Sequence, residues 1–295
     1  TPIIGKDNAF VNSNSDDTAI IPHTRNYATF LFKWQVMKMI KLIALDLDDT
    51  TLTPQGLLDD FTRDVLCEVA RRGTELVVAS GRAYTSLPRR VLSIPGVRYA
   101  ICSNGAATVD VTTGKRIFGF TLKPESVAQI LDVFAGERFE GFVDGQPYCD
   151  EEYYSDPKRF GCSPAYVSYV QTTRKPIDDM ARFISDNSDC LDSIDVLCGS
   201  PERKKVLWEK TRELKNVYVT SSSPRLIEIA DENSGKGKAL KKLAEMLGIP
   251  REDIAAFGNG DNDADMLKFA GTGVAVKNAS DACKNAADTI CESNV

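Results

Sequence analysis

The chain has 295 residues, 42% of them hydrophobic and 26% charged, with a net charge of −6 and an isoelectric point near 5.1. That length suffices for one large domain or two moderate ones around a buried core. The acidic balance argues against a nucleic-acid or anionic-membrane surface, so an anionic ligand has to be held by local positive charge. The apolar stretch 30–45 is broken by Lys33, Lys38 and Lys41, which excludes a membrane span or a signal-peptide core. The eight cysteines form no CxxC pair and no metal-ligand spacing with histidine. Several sit in apolar runs, where a thiol behaves as a small hydrophobe, and a reducing cytoplasm is expected. The one histidine, His23, lies in a leader, residues 1–36, that lacks a clear period and precedes Met37 and Met39. This leader is expected to stand outside the fold, and catalysis then proceeds without histidine. Serine–histidine, cysteine–histidine and histidine-rich zinc chemistries recede accordingly.

The run Met39–Leu45, broken only by Lys41, reads as a buried strand that stops at Asp46-Leu-Asp-Asp-Thr-Thr. Residues 59–73 read as a helix capped by Asp60 or Thr62, with Val65, Leu66 and Val69 on one face and Gly73 after it. Residues 75–80 form a second apolar strand ending on Ser80, followed by Gly81 and Arg82, and 99–106 a third ending at Ser103, Asn104 and Gly105. Strand, helix, strand, with polar residues at each carboxyl end, predicts an α/β doubly wound parallel sheet of Rossmann-like type. From about residue 122 the pattern changes. A helix opens at Pro124, a hairpin turns on Asp144–Gly145, helices are expected at 177–186 and 202–215, and 217–230 reads as an antiparallel pair. This is an α+β insert over 122–230, domain-sized by itself, between core segments 37–121 and 231–295. The parallel pattern resumes with a helix over 235–250, a strand at 253–258 running into a glycine-rich acidic loop, and a short strand at 273–279.

Asp46 and Asp48, two apart at a strand's carboxyl end, point into the crevice where open α/β sheets bind ligands. A carboxylate there can attack phosphorus while a second manages the leaving group's proton, although an acidic turn is the plainer reading of so short a motif. Ser80 read alone is a turn residue. Lys236 at a helix start opposes the helix dipole, which makes sense if an anion lies between it and the free amides. Asp261, Asn262 and Asp263, with Gly258 and Gly260, suit either a solvated loop or a hard-cation site.

Taken together the chain resembles the haloacid dehalogenase superfamily of phosphohydrolases, in its Cof-type subclass IIB with a large α/β cap. DLDDT (46–50) is similar to the family's DxDxT, ASGR (79–82) to its serine or threonine strand end, and CSNGA (102–106) to a further signature. SGKGKAL (234–240) resembles its lysine loop and GNGDNDADML (258–267) its second acidic loop, all in the family's order from Met37 onward. The resemblance implies Asp46 as the nucleophile that forms an aspartyl-phosphate, and Asp48 as proton donor and then base. It implies Ser80 and Lys236 on the phosphoryl oxygens, and Mg²⁺ held by Asp46, Asp48 and the 258–263 loop through Asn259 and Asp263. Thr50, Arg82, Asn104, Asn262 and Arg225 are candidates for touching substrate, a small phosphorylated metabolite, with no nucleic-acid or membrane partner.

The chain departs from the family pattern at Asn259, where aspartate is usual, and ends at CESNV (291–295) where relatives continue into a helix; a truncation is expected. A signalling receiver is disfavoured because it lacks an acid two residues past the nucleophile and the long insert. A phosphotransferase or phosphomutase on the same fold, and a phosphate-ester-binding protein weakened by Asn259, stay open.

Overall fold

The computed structural model describes residues 40–293; the expected leader lies outside the described residues. The first strands are β1 (Leu42–Leu45), β2 (Glu75–Ala79), β3 (Val97–Cys102), β4 (Ala107–Asp110) and β5 (Lys115–Gly119). Then follow β6 (Arg138–Val143), β7 (Gln146–Asp150), β8 (Lys175–Ile177), β9 (Leu191–Leu197), β10 (Val217–Thr220) and β11 (Leu226–Asp231). The chain closes with β12 (Ile254–Gly258), β13 (Thr272–Val276) and β14 (Thr289–Cys291).

One sheet has eight strands in the order β14-β13-β12-β1-β2-β3-β4-β5. Its first six are parallel, and the β4–β5 hairpin extends it antiparallel. β1 lies at the centre with all four side chains buried, which is why it reads as an unbroken apolar run. The order reverses direction at β1, flanked by β2 and β12, so its carboxyl end opens on the crevice of a topological switch point. The apolar core around this sheet draws on residues 40–107 and 239–291.

Two local readings change. The helix Asp60–Arg71 is capped by Asp59, which has extended backbone and accepts from the Thr62 N–H at 2.9 Å, and not by Asp60 or Thr62. The third strand stops at Cys102, because Ser103 and Asn104 take positive φ and turn the chain back into β4. The apolar letters after that turn belong to a new antiparallel strand.

The second sheet has six strands, β10-β11-β9-β6-β7-β8, and a separate apolar core from residues 122–229. It is antiparallel except for the β7–β8 pair. Its β6–β7 hairpin turns on Asp144 and Gly145, both at positive φ, as the two-residue turn demands. Among the described residues no helix is long and apolar enough to cross a membrane.

The register of this sheet places Glu228 opposite Asp195, and Asp195 opposite Glu140. Glu228, Asp195 and Glu140 are 4%, 6% and 1% exposed, and directly opposed like charges destabilise a sheet. Arg174 answers one of the three, donating twice to Glu140 at 2.9 Å. Burial, then Glu228 and Glu140, push the Asp195 carboxyl well above the usual range, with Arg174 pulling the other way. An acid whose pKa rises on folding keeps its proton in the folded state and loses it in the unfolded one. Stability therefore falls as pH climbs above the unfolded value of about 3.9 toward the folded value. Asp195→Asn should melt higher than the parent at pH 8, by about 2–4 °C for each ~1 kcal/mol relieved. The gain should shrink at pH 5. Thermal unfolding at both pH values tests this, and a gain independent of pH would show that Asp195 is not protonated on folding.

Candidate active site

Asp46 stands one residue past β1, its N–H donating to the Phe257 carbonyl at 3.0 Å. The chain then closes a wide turn in which Leu52 N–H donates to Leu47 O at 2.8 Å and Thr51 Oγ1 to Asp46 O at 2.6 Å. Leu47 and Leu52 are buried on either side of that turn, which fixes the acidic residues between them at the carboxyl end of the central strand.

Lys236, first residue of the helix Lys236–Leu247, reaches Asp46 from behind. Its Nζ donates to Asp46 Oδ1 at 2.8 Å and to Asp263 Oδ1 at 2.6 Å. Lys236 and Asp263 are fully buried and Asp46 is 5% exposed. Burial alone would lower the Lys236 pKa, but Asp263 and then Asp46 more than offset it, and the lysine keeps its charge. Burial, then Asp263, push Asp46 up to about 7, with Lys236 opposing. The unfavourable place of a cation at a helix start is thus met by two carboxylates of the chain itself. The ammonium, expected on a phosphoryl oxygen, is engaged by them behind the nucleophile.

Asp263, expected as a metal ligand, has both oxygens engaged in the protein. Oδ1 takes Lys236, and Oδ2 accepts from the Asn259 and Gly260 N–H groups at 2.9 Å each. Gly258 allows this approach, since a Cβ there would lie 2.5 Å from the Asp263 Cβ. The loop so held presents Asn259, whose Oδ1 accepts from Thr50 Oγ1 at 3.0 Å.

Asp48 is gripped by Arg82, which donates Nε to Oδ2 at 2.9 Å and Nη2 to Oδ1 at 2.5 Å. The Arg82 guanidinium also lies 4.4 Å from the centre of the Tyr169 ring. Ser80, 1% exposed, accepts from the Arg82 N–H at 3.1 Å. Asn104 bridges two residues, donating to Glu228 Oε1 at 3.2 Å and accepting from Asn262 Nδ2 at 2.9 Å. Its loop abuts the lysine loop so closely that a Cβ on Gly105 would lie 2.3 Å from the Gly235 carbonyl oxygen. Arg225 is exposed and donates to the Gly161 carbonyl.

A cavity of about 430 Å³ joins these groups. Asp46, Asp48, Ser80, Arg82, Asn259 and Asn262 line it from the first sheet's side. Residues that sequence reasoning missed also line it: Glu140, Asp195, Glu228, Tyr169 and Arg174 from the second sheet and its helices. Their signal was faint, consisting of single acids inside apolar strands such as Leu191-Asp-Ser-Ile-Asp-Val-Leu. Of the candidates, Thr50, Asn104, Lys236 and Asp263 are not on the cavity wall, and each is hydrogen-bonded to a residue that is.

Among the described residues no three His, Cys, Asp or Glu side chains converge as metal ligands, as expected once Asp263 is engaged and position 259 is an amide. The donors that remain are hard oxygens, and Asp46 Oδ2 is buried without a hydrogen-bond partner. An orphaned carboxylate oxygen on a cavity wall beside Asn259 fits a hard cation; unpaired, it carries the full desolvation penalty.

Residues 43–295 match the family model of the haloacid dehalogenase-like hydrolases. The phosphatase YwpJ of Bacillus subtilis is 28% identical over 275 residues, covering 86% of this chain and 95% of that protein. The 5-amino-6-(5-phospho-D-ribitylamino)uracil phosphatase YwtE of the same organism is 26% identical over 275 residues, covering 86% and 94%. A solved haloacid dehalogenase-like hydrolase from B. subtilis superposes with a TM-score of 0.73 at 27% identity over 86% of this chain and 95% of that one. The subclass IIB sugar phosphatase BT4131 shares the fold, with a TM-score of 0.72 at 18% identity over 85% and 92%. The chain belongs to the haloacid dehalogenase-like hydrolase family, among its phosphatases.

Proposed function

We propose that this chain is a Mg²⁺-dependent phosphatase that hydrolyses a small phosphomonoester through an aspartyl-phosphate on Asp46. The observation that carries this reading is Asp46 itself, one oxygen held by a buried lysine and the other unpartnered on a cavity wall. We assign residues 122–230 the role of a cap that walls the cavity and keeps water from it. Two relatives are named for a phosphorylated ribitylamino-uracil, which sets a scale for the ester without naming this chain's own. A cytoplasmic setting suits its free thiols.

Asp46 attacks phosphorus as the ester P–O bond breaks, and Asp48 gives a proton to the departing alkoxide. Water then attacks phosphorus, Asp48 takes its proton, and the Asp46 carboxylate leaves. Because Arg82 holds both Asp48 oxygens, each transfer requires one of them to exchange Arg82 for the reacting oxygen. Ser80 receives a phosphoryl oxygen, and Lys236 aims and charges Asp46 from behind. Held by Asp46, the Asp48 main-chain carbonyl and the Asn259 amide oxygen, Mg²⁺ would supply positive charge to the phosphoryl oxygens.

Release of inorganic phosphate with and without Mg²⁺ tests the reading and separates hydrolysis from transfer to a second substrate. Asp46→Asn should leave under a few per cent of turnover, because an amide cannot attack phosphorus; more would remove Asp46 as nucleophile. Asp48→Asn should lose roughly 10²–10⁴-fold, and an undiminished rate on esters with poor leaving groups would remove Asp48 as proton donor. Asn259→Asp adds charge at equal side-chain length, and ligand charge controls affinity at such sites. Half-saturating Mg²⁺ should fall while the saturated rate changes little. An unchanged metal titration would take Asn259 out of the ligand set.

A further inference from the structure

On its second-sheet side the cavity is lined by one carboxyl to which no described residue donates. Across β11, β9 and β6 the three opposed acids differ in their partners. Glu228 receives Asn104 Nδ2 at 3.2 Å, Ser222 Oγ at 3.0 Å and the Ser222 N–H. Glu140 is filled on both oxygens by Arg174. Asp195, between them, is 94% buried and lines the cavity, and among the described residues none donates a hydrogen bond to its side chain. The cations near it are engaged, Arg174 on Glu140 and against the Tyr169 ring at 4.5 Å, and the exposed Arg225 on the Gly161 carbonyl.

Buried polar groups are rarely left unpaired, so the missing partner is expected from whatever fills the cavity. Hydroxyl and amino groups can meet a carboxyl in either protonation state. A second phosphate or a carboxylate would instead face three acids with no unengaged arginine between them, and like charges at such range repel strongly in a low-dielectric site. We propose that Asp195 is the specificity residue of a distal subsite that accepts a leaving group ending in hydroxyl or amino donors and rejects one ending in a second anion. This rests on the phosphatase reading above, with the phosphoryl group at Asp46 and the leaving group reaching the second sheet.

Sorbitol 6-phosphate and 6-phosphogluconate test it, since they share chain length and differ at one end, CH₂OH against carboxylate. The parent enzyme should favour sorbitol 6-phosphate by roughly 10-fold or more in kcat/KM, within the range that a buried hydrogen-bonding site achieves. In Asp195→Asn and Asp195→Leu that ratio should collapse toward unity, whatever the absolute rate of each variant. Equal kcat/KM for the pair in the parent, or a ratio that survives both substitutions, would overturn the subsite while leaving the phosphatase reading intact. If the parent releases no phosphate even from acetyl phosphate, the phosphatase reading fails, and the pair is compared by calorimetric Kd. Tighter binding of the sorbitol ester then supports the subsite, and equal Kd overturns it.

Discussion

The Lys236 ammonium, buried between Asp46 and Asp263, is the contact on which the geometry of the site depends. Removing an ion from water costs several kcal/mol, and only close, hydrogen-bonded partners offset it. Asp46 lies 190 residues away in sequence and Asp263 lies 27 away, so the pairing is met only when β1, the helix Lys236–Leu247 and the loop after β12 are all in place. Asp263 passes the constraint on, because its other oxygen binds the Asn259 and Gly260 amides and delivers Asn259 to Thr50. Losing one member of a buried pair typically costs about 3–5 kcal/mol, a large part of the 5–15 kcal/mol that stabilises most domains. The cluster also holds two carboxylates against one ammonium. Burial first, and then that imbalance through Asp263, raise Asp46, and the excess negative charge suits the site to further positive charge.

Much of this was legible in the sequence because it follows from where strands end. Four of the parallel strands read as apolar runs terminating in polar side chains, and Asp46, Ser80 and Asn259 all lie at such carboxyl ends. The partners were less legible. Lys236 was expected on the phosphoryl group because an anion had to be near it, and the sequence does not show that two carboxylates of the chain, one of them 190 residues distant, share its ammonium. Asp263 was expected as a metal ligand, and its bonds to Lys236 and to the Asn259 and Gly260 amides were equally hidden. Arg82 was expected near substrate, and the structure places it on Asp48, a pairing set by how β2 lies beside β1.

The acids of the second sheet were invisible for a different reason. In an antiparallel strand, polar residues alternating with apolar ones ordinarily mark the solvent face. Glu140, Asp195 and Glu228 obey that alternation, yet the face they occupy is turned toward the first sheet across a cavity. Only tertiary placement separates a polar face in water from a polar face over an active site, and cross-strand register was needed to show that the three stand in one row.

Two of those acids also explain how the second sheet is placed over the nucleophile. Glu228 is tied through Asn104 to Asn262, beside Asp263. Glu140 is tied through Arg174 to the Tyr169 ring, which Arg82, the partner of Asp48, also packs against. The outer members of the row are therefore struts, each ending on a residue of the catalytic end, and cation–π contacts of this kind contribute about 0.5–2 kcal/mol each. The middle member carries no such tie. A row of three acids with both outer positions fastened leaves one carboxyl facing inward at a fixed position relative to Asp46, and the fold keeps it there at a cost in stability that grows with pH. Sites held against the stability gradient in this way are where proteins commonly exchange stability for selectivity.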